Sequence, residues 1–167
     1  MMRIANIEDS PRMAEIHVFG WRCAYKEFIS LEFLFNKFTV KNREKIFMEN
    51  LSEKNENVKT YVYEEDNIIK AFMTIGNCRD EDKNEKTFEL WGIYVDPLFK
   101  RQKIGTHFVD YCIKEAIHYN KEEVVLWVFE KNNNSIEFYK TMGFSIDGKM
   151  KVDDFFNENE IRMSRKI

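Results

Sequence analysis

A chain of 167 residues with 44% hydrophobic and 15% aromatic residues is long enough to bury a core and too apolar to be disordered. Its net charge of -3 leaves no global electrostatic footprint for nucleic acid, so any phosphate-binding charge must be local. No apolar run approaches a membrane span, Met1-Met2-Arg3 leads into polar sequence without a signal peptide, and three widely spaced cysteines (Cys23, Cys78, Cys112) fit reduced thiols in a cytoplasmic protein.

Met2 to Ile7 is predicted as a short strand. Ser10-Pro11 reads as an N-cap and first helical residue, because proline is tolerated where the N–H lacks a helical partner anyway. The helix carries Met13, Ile16 and His17 toward Trp21 and Tyr25. A second short helix is expected after Ser30 with Leu31, Leu34 and Phe35 inward, and a third from Thr39 to Leu51 with Val40, Phe47 and Leu51 on one side. Val58 to Tyr63 and Ile68 to Asn77 are predicted strands joined by the turn Glu64-Glu65-Asp66-Asn67. Arg79 to Lys86 is almost wholly charged or polar, an exposed loop.

Phe88 to Val95 is mostly aromatic or β-branched, as a buried strand requires, and Asp96-Pro97 stops it. Lys100, Arg101 and Lys103 fill the turn that follows. Ile104, Phe108, Val109, Cys112, Ile113, Ala116 and Ile117 then fall on one face of a helix running to about residue 120. Glu123 to Phe129 is another buried strand and Asn132 to Met142 a short helix. Gly143 stands where a left-handed C-cap is expected, with Phe144 as its hydrophobic contact. Ser145 to Lys149 and Ile161 to Ile167 supply two last strands around a polar loop from Asp153 to Glu160.

The order β-α-α-α-β-β-β-α-β-α-β-β predicts one α/β (α+β) domain over residues 1–167, a mixed, mostly antiparallel sheet flanked by helices. Its clear parallel unit is strand 88–95, helix 104–120, strand 123–129. The basic turn gathers cations and free backbone N–H groups at the positive end of a helix, an arrangement that favours a phosphate-bearing ligand. It is neither a Walker loop nor G-x-G-x-x-G, since only Gly105 is present.

Two segments carry a family resemblance: Tyr94-Val95-Asp96-Pro97 followed by Lys100-Arg101-Gln102-Lys103-Ile104-Gly105, and Asn132-x-x-Ser135-x-x-Phe138-Tyr139-x-x-x-Gly143-Phe144. They resemble the GNAT superfamily of acetyl-CoA-dependent N-acetyltransferases, whose corresponding motifs are Y-V-x-P, [RQ]-x-x-G-x-[GA] and N-x-x-[AS]-x-x-F-Y-x-x-x-G-F. The element order fits across essentially the whole chain. Lys103 stands where the family usually has its first glycine, and Lys100 where it has Arg or Gln. A lysine there either finds a conformation its Cβ tolerates or costs about 1–2 kcal/mol of left-handed strain.

The resemblance implies that the backbone of Ile93, Tyr94 and Val95 pairs with the pantetheine arm of acetyl-CoA, with the Val95 N–H polarising the thioester carbonyl. It implies that Lys100 and the backbone of Arg101, Gln102, Lys103, Ile104, Gly105 and Thr106 hold the pyrophosphate. Asn132, with Ser135 and Phe138 of the same motif, borders the cofactor; the alternative for Asn132 is a turn asparagine before a helix. Glu89 is the candidate general base, because a carboxylate between Phe88, Leu90 and Trp91 is unexpected without a task; the alternative is a cross-strand ion pair. Tyr139 is the candidate acid for the departing thiolate, or else a core tyrosine. Trp21, Tyr25, Phe28 and Phe33 either line the acceptor side or pack in the core, and His17, His107 and His118 read as packing or surface residues.

The expectation is therefore a cytoplasmic N-acetyltransferase moving acetyl from acetyl-CoA, its co-substrate, to a primary amine by direct attack. No metal, nucleic acid or membrane is expected as a partner; the acceptor is a small-molecule or peptide amine, and a homodimer is an admissible assembly. The alternatives are a coenzyme-A-binding sensor or regulatory domain without turnover and, less well supported, a nucleic-acid module using the basic turn.

Overall fold

Strand β1 (Met2–Ile4) opens the chain, followed by helices α1 (Ser10–Tyr25) and α2 (Val40–Ser52). Then come strands β2 (Val58–Glu65), β3 (Ile68–Asn77) and β4 (Thr87–Val95), helix α3 (Ile104–His118) and strand β5 (Glu123–Phe129). Helix α4 (Asn133–Thr141) and strands β6 (Ser145–Asp153) and β7 (Glu158–Lys166) complete it. These elements are those of a computed structural model that describes residues 1–53 and 55–167. The strands form one seven-stranded sheet in the order β1-β2-β3-β4-β5-β7-β6. The β4–β5 pair is parallel, while β1–β2, β5–β7 and β6–β7 are antiparallel. The mixed α/β class expected from the element order is the one observed.

The chain divides into two compact units, the first made of residues 1–74 and 93–105. Its core holds Ala5, Met13, Ala14, Ile16, Phe47, Val62 and Phe72, with Val40, Leu51, Ile69 and Tyr94 packed against it. Asp66 and Asn67 both take positive φ, 53° and 60°, the requirement of the two-residue turn that joins β2 to β3. Three local expectations are corrected here. Ser10 is the first residue of α1 and not its cap; Asp9 stands at the N-cap without a side-chain cap bond, and Asn6 caps the short turn Ile7–Asp9 before it, with Glu8 N–H donating to Asn6 Oδ1 at 2.9 Å and Asn6 N–H to Asp9 Oδ2 at 2.8 Å. Arg3 locks that turn with two bonds to Asp9, a partner no local pattern reveals. β1 ends at Ile4, because Ile7 already belongs to this capped turn. The second predicted helix is a π-helical turn at Phe33–Lys37 that buries only Leu34, and Leu31 and Phe35 are exposed.

The second unit comprises residues 75–92 and 106–167. Its helix α3 buries Phe108, Val109, Cys112, Ile113 and Ala116, whereas Ile117, placed on the same stripe by periodicity, is 57% exposed. Burial pushes the Cys112 thiol up to about 12, with Glu115 adding to it, so this cysteine is a packing residue. β5 is an interior strand, paired with β4 on one edge and β7 on the other, and it buries residues on both faces. The tail strands are longer than expected, nine residues each, and β6 is irregular between Ile146 and Met150, where Gly148 has φ +90°. Arg162, nearly fully buried, donates to Asp80, to both oxygens of Asp82 (2.8 and 2.9 Å) and to Asp147 (2.7 Å). The loop read as simply exposed is therefore tethered to the last two strands. Among the described residues, no helix is long and apolar enough to cross a membrane.

Candidate functional site

The first unit contains the end of β4 and the basic turn. Ile93, Tyr94 and Val95 are half-buried, and the chain is pinned immediately beyond them. Asp96 N–H donates to the Lys70 carbonyl at 2.9 Å, and Asp96 Oδ1 accepts from Leu98 N–H at 2.8 Å, capping the single turn Pro97–Phe99. The other carboxylate oxygen of Asp96 takes the Arg12 guanidinium, which also donates to the Ile69 carbonyl at 3.0 Å and to Glu15 at 2.8 Å. Asp96, noticed in the sequence only as a strand stop, is the post that fixes where the strand ends.

The turn then takes an unusual backbone. Lys100 is extended (φ -62°, ψ 156°), Arg101 has φ 64° and Lys103 has φ 62°, before α3 begins at the buried Ile104. Left-handed backbone at a residue with a Cβ costs about 1–2 kcal/mol. Lys103 and Arg101 thus both adopt a backbone conformation that glycine would take without strain. Concavities lined by successive N–H groups in such turns suit anions. Lys100, Arg101, Gln102 and Lys103 are exposed, and among the described residues no side-chain hydrogen bond or ion pair engages any of the three cations. Gly105 is half-buried in the first turn of α3.

The second unit holds the other candidates. Glu89 is buried, only 1% exposed, and its carboxylate accepts from the Arg79 backbone N–H (3.0 Å) and from the Arg79 guanidinium, with Nε at 3.2 and 3.1 Å and Nη2 closing on Oε1. The guanidinium carbon sits 3.9 Å from the Trp91 ring centroid, and Trp91 Nε1–H donates to the Asn77 carbonyl at 3.3 Å. The ion-pair alternative for Glu89 therefore has a partner, Arg79, the first residue of the charged loop. Nothing in the sequence distinguishes it from its solvated neighbours.

Asn132 precedes α4, and its Oδ1 accepts from Ser135 N–H at 3.3 Å. That bond turns the amide so that Nδ2 is left as a donor, and both readings of Asn132 are compatible with the geometry. On α4, Ile136 and Tyr139 are buried and Phe138 is half-buried. The helix ends as predicted: Gly143 has φ +83°, its N–H donates to the Lys140 carbonyl, Phe144 N–H donates to the Tyr139 carbonyl, and both bonds are 3.0 Å. The Tyr139 and Phe144 rings meet at 5.9 Å, and Arg165 donates to the Met142 carbonyl at 2.6 Å while its stem lies 3.4 Å from where a Gly143 Cβ would stand. Thr106 follows in α3.

In the first unit the N-terminal aromatics pack on one another. Trp21 stacks on Phe38 at 4.6 Å and meets Tyr25 at 4.9 Å; Tyr25 meets Phe28 at 5.4 Å and Phe33 meets Phe38 at 5.6 Å. His17 is a packing histidine in position, buried among five rings.

The sequence matches the acetyltransferase (GNAT) family over residues 21–144. An uncharacterized N-acetyltransferase of Bacillus subtilis, YuaI, is 26% identical over 139 residues, covering 83% of this chain and 76% of that protein. An uncharacterized N-acetyltransferase of Methanocaldococcus jannaschii, MJ1207, is 41% identical over 56 residues, 34% of this chain and a quarter (25%) of that relative's length. Among solved structures, the PaiA N-acetyltransferase of Thermoplasma acidophilum in complex with coenzyme A superimposes with a TM-score of 0.76 at 19% identity, over 100% of this chain and 98% of that one.

Proposed function

The chain belongs to the acetyltransferase (GNAT) family, and from that premise we propose that it moves an acetyl group from acetyl-CoA to a primary amine by direct attack. One observation carries the cofactor half of this reading. Three cations, Lys100, Arg101 and Lys103, stand without acidic partners among the described residues on a doubly left-handed turn that opens α3. A dianionic pyrophosphate supplies the missing counter-charge, and the helix N-terminus and turn N–H groups supply donors. The end of β4 then pairs with the pantetheine arm as an added strand, and the Val95 N–H polarises the thioester carbonyl. Asn132 Nδ2 is offered to the cofactor, in the motif it forms with Ser135 and Phe138.

In the transfer itself the neutral amine nitrogen attacks the thioester carbonyl, a C–N bond forms and the C–S bond breaks. Glu89 takes the surplus proton of the amine through water, and Tyr139 gives a proton to the thiolate. A rival gains from one detail: the Glu89 carboxylate is occupied by Arg79, as it would be in a coenzyme-A-binding regulatory domain without turnover. Two measurements separate the readings. Calorimetry is expected to show acetyl-CoA binding to the wild type and weaker, less salt-dependent binding to Lys100→Glu/Lys103→Glu. Thiol release against a panel of amines then tests turnover. Absence of acetyl-CoA binding to folded wild-type protein overturns the proposal, and binding without thiol release for any amine favours the regulatory domain.

A further inference from the structure

Among the described residues, the guanidinium groups follow a pattern once the solvent-exposed Arg101 of the basic turn is set aside, with one exception. Arg3 closes on Asp9 and Glu64, Arg12 on Glu15 and Asp96, Arg79 on Glu89, and Arg162 on three aspartates. Arg22 and Arg165 close on the backbone carbonyls of Leu34 and Met142. Arg43, half-buried on α2, has neither: its Nε is buried without a hydrogen-bond partner, and its charge lies over Phe38 (5.5 Å) and Phe47 (5.1 Å). Burial lowers its pKa, with the Tyr94 hydroxyl opposing that effect. Two aromatic faces do not replace a counter-ion for a cation partly withdrawn from water.

A second orphan shares those rings. His17, only 6% exposed, has both ring nitrogens buried without a hydrogen-bond partner among the described residues. Its ring lies 5.2 Å from Phe38, 5.6 Å from Phe47 and 4.2 Å from Tyr94. Burial first, and then the Arg43 charge, hold the imidazole neutral, leaving one N–H donor and one acceptor. Tyr94 belongs to the strand end assigned above to the thioester arm.

We propose that Arg43 and His17 form a recognition site for a carboxylate carried by the amine acceptor, so that the acceptor class is amino-acid-like. The inference rests on the acetyltransferase reading and narrows it. A carboxylate matches the planar guanidinium fork, neutralises the unpaired cation and accepts a further bond from a neutral imidazole N–H. The surrounding rings exclude water and strengthen such a pair.

The experiment compares matched probes, L-leucine against isoamylamine and L-phenylalanine against phenethylamine, by thiol release from acetyl-CoA. A charge-assisted pair predicts that wild type favours each acid over its amine by about 10- to 100-fold in kcat/KM. Arg43→Gln is expected to collapse that ratio toward unity, with Arg43→Lys between. Removing an unpaired cation does not unfold the protein, and melting temperature checks this. A readout without turnover accompanies it: N-acetyl-L-leucine is expected to raise the melting temperature of wild type but not of Arg43→Gln. A wild type that turns over amines without preferring the acids, or a ratio unchanged in Arg43→Gln, overturns the carboxylate site while leaving the acetyltransferase standing. Stabilisation by N-acetyl-L-leucine through Arg43 with no turnover of any amine supports the site and overturns the transferase reading. If neither probe is preferred and N-acetyl-L-leucine stabilises nothing, the inference is wrong and Arg43 is a packing cation.

Discussion

The Arg79–Glu89 pair invites an asymmetric perturbation, because its two ends differ in exposure. The Glu89 side chain is 1% exposed and that of Arg79 53%. Glu89→Gln removes a buried charge and leaves a guanidinium that water and the Trp91 face still accommodate. Its stability cost is that of a charge-assisted bond, about 1.5–3 kcal/mol. Arg79→Gln does the reverse: it leaves a carboxylate out of water with the single Arg79-position backbone N–H as donor. Stranding a buried charge costs about 3–5 kcal/mol. Arg79→Gln is therefore expected to be the less stable variant by about 2 kcal/mol, read as urea midpoints at neutral pH with a common slope.

Activity separates the roles that stability cannot. If Glu89 is the base, Glu89→Gln lowers turnover by about 10²–10⁴-fold while acetyl-CoA affinity, measured by calorimetry, stays put. If it is only a structural anion, turnover per folded molecule is retained. An Arg79→Gln variant as stable as wild type would refute the electrostatic argument itself, since it would mean that the carboxylate needs no partner where it lies.

Tyr139→Phe is expected to keep stability within about 1 kcal/mol, the worth of one hydrogen bond, because the ring contacts with Phe138 and Phe144 remain; thiol release is expected to fall by roughly 10-fold. Lys103→Gly relieves about 1–2 kcal/mol of left-handed strain against about 0.5–1 kcal/mol of added chain entropy, so urea unfolding should show a small net gain while acetyl-CoA affinity at low salt declines. The His17 imidazole is held below its ordinary 6.5 by burial and Arg43, so below pH about 6.5 the unfolded chain binds a proton the folded one refuses. Stability is expected to drop toward acid by as much as about 1.4 kcal/mol per pH unit, a slope that denaturant titrations should find missing in His17→Gln.

What was legible in the sequence was what local chemistry decides. Gly143 and Phe144 announced a left-handed helix end because the two bonds and the ring contact lie within six residues. The turn at Asp66-Asn67 was legible for the same reason. Ser10-Pro11 misled by one residue because the chain already turns at Asn6, and that short turn, held by Asp9 and Arg3, runs straight into α1. Ile117 and Leu31 followed a periodicity that stops deciding burial where an element ends. The site divided along the same line: the basic turn and the α4 motif were visible, whereas Arg79 and Arg43 were not. One looks like part of a solvated loop and the other like any cation on an amphipathic helix. Only the tertiary neighbours, a buried carboxylate for one and its absence for the other, give them meaning.

Lys103 holds a left-handed backbone that glycine would hold without strain. Glycine at φ 62° brings no charge; lysine accepts about 1–2 kcal/mol of strain and places a third cation beside Lys100 and Arg101. In the unliganded chain those three charges repel, since they lie within a Debye length along four residues, and no acid offsets them among the described residues. A bond to a charged phosphate is worth about 1.5–3 kcal/mol when shielded from water and less at an exposed lysine, the same order as the strain. On the proposed pyrophosphate reading, lysine is thus unfavourable in the empty turn and offset in the occupied one. That change is what the proposed pyrophosphate site predicts, and an unchanged acetyl-CoA affinity of Lys103→Gly at low salt would refute it.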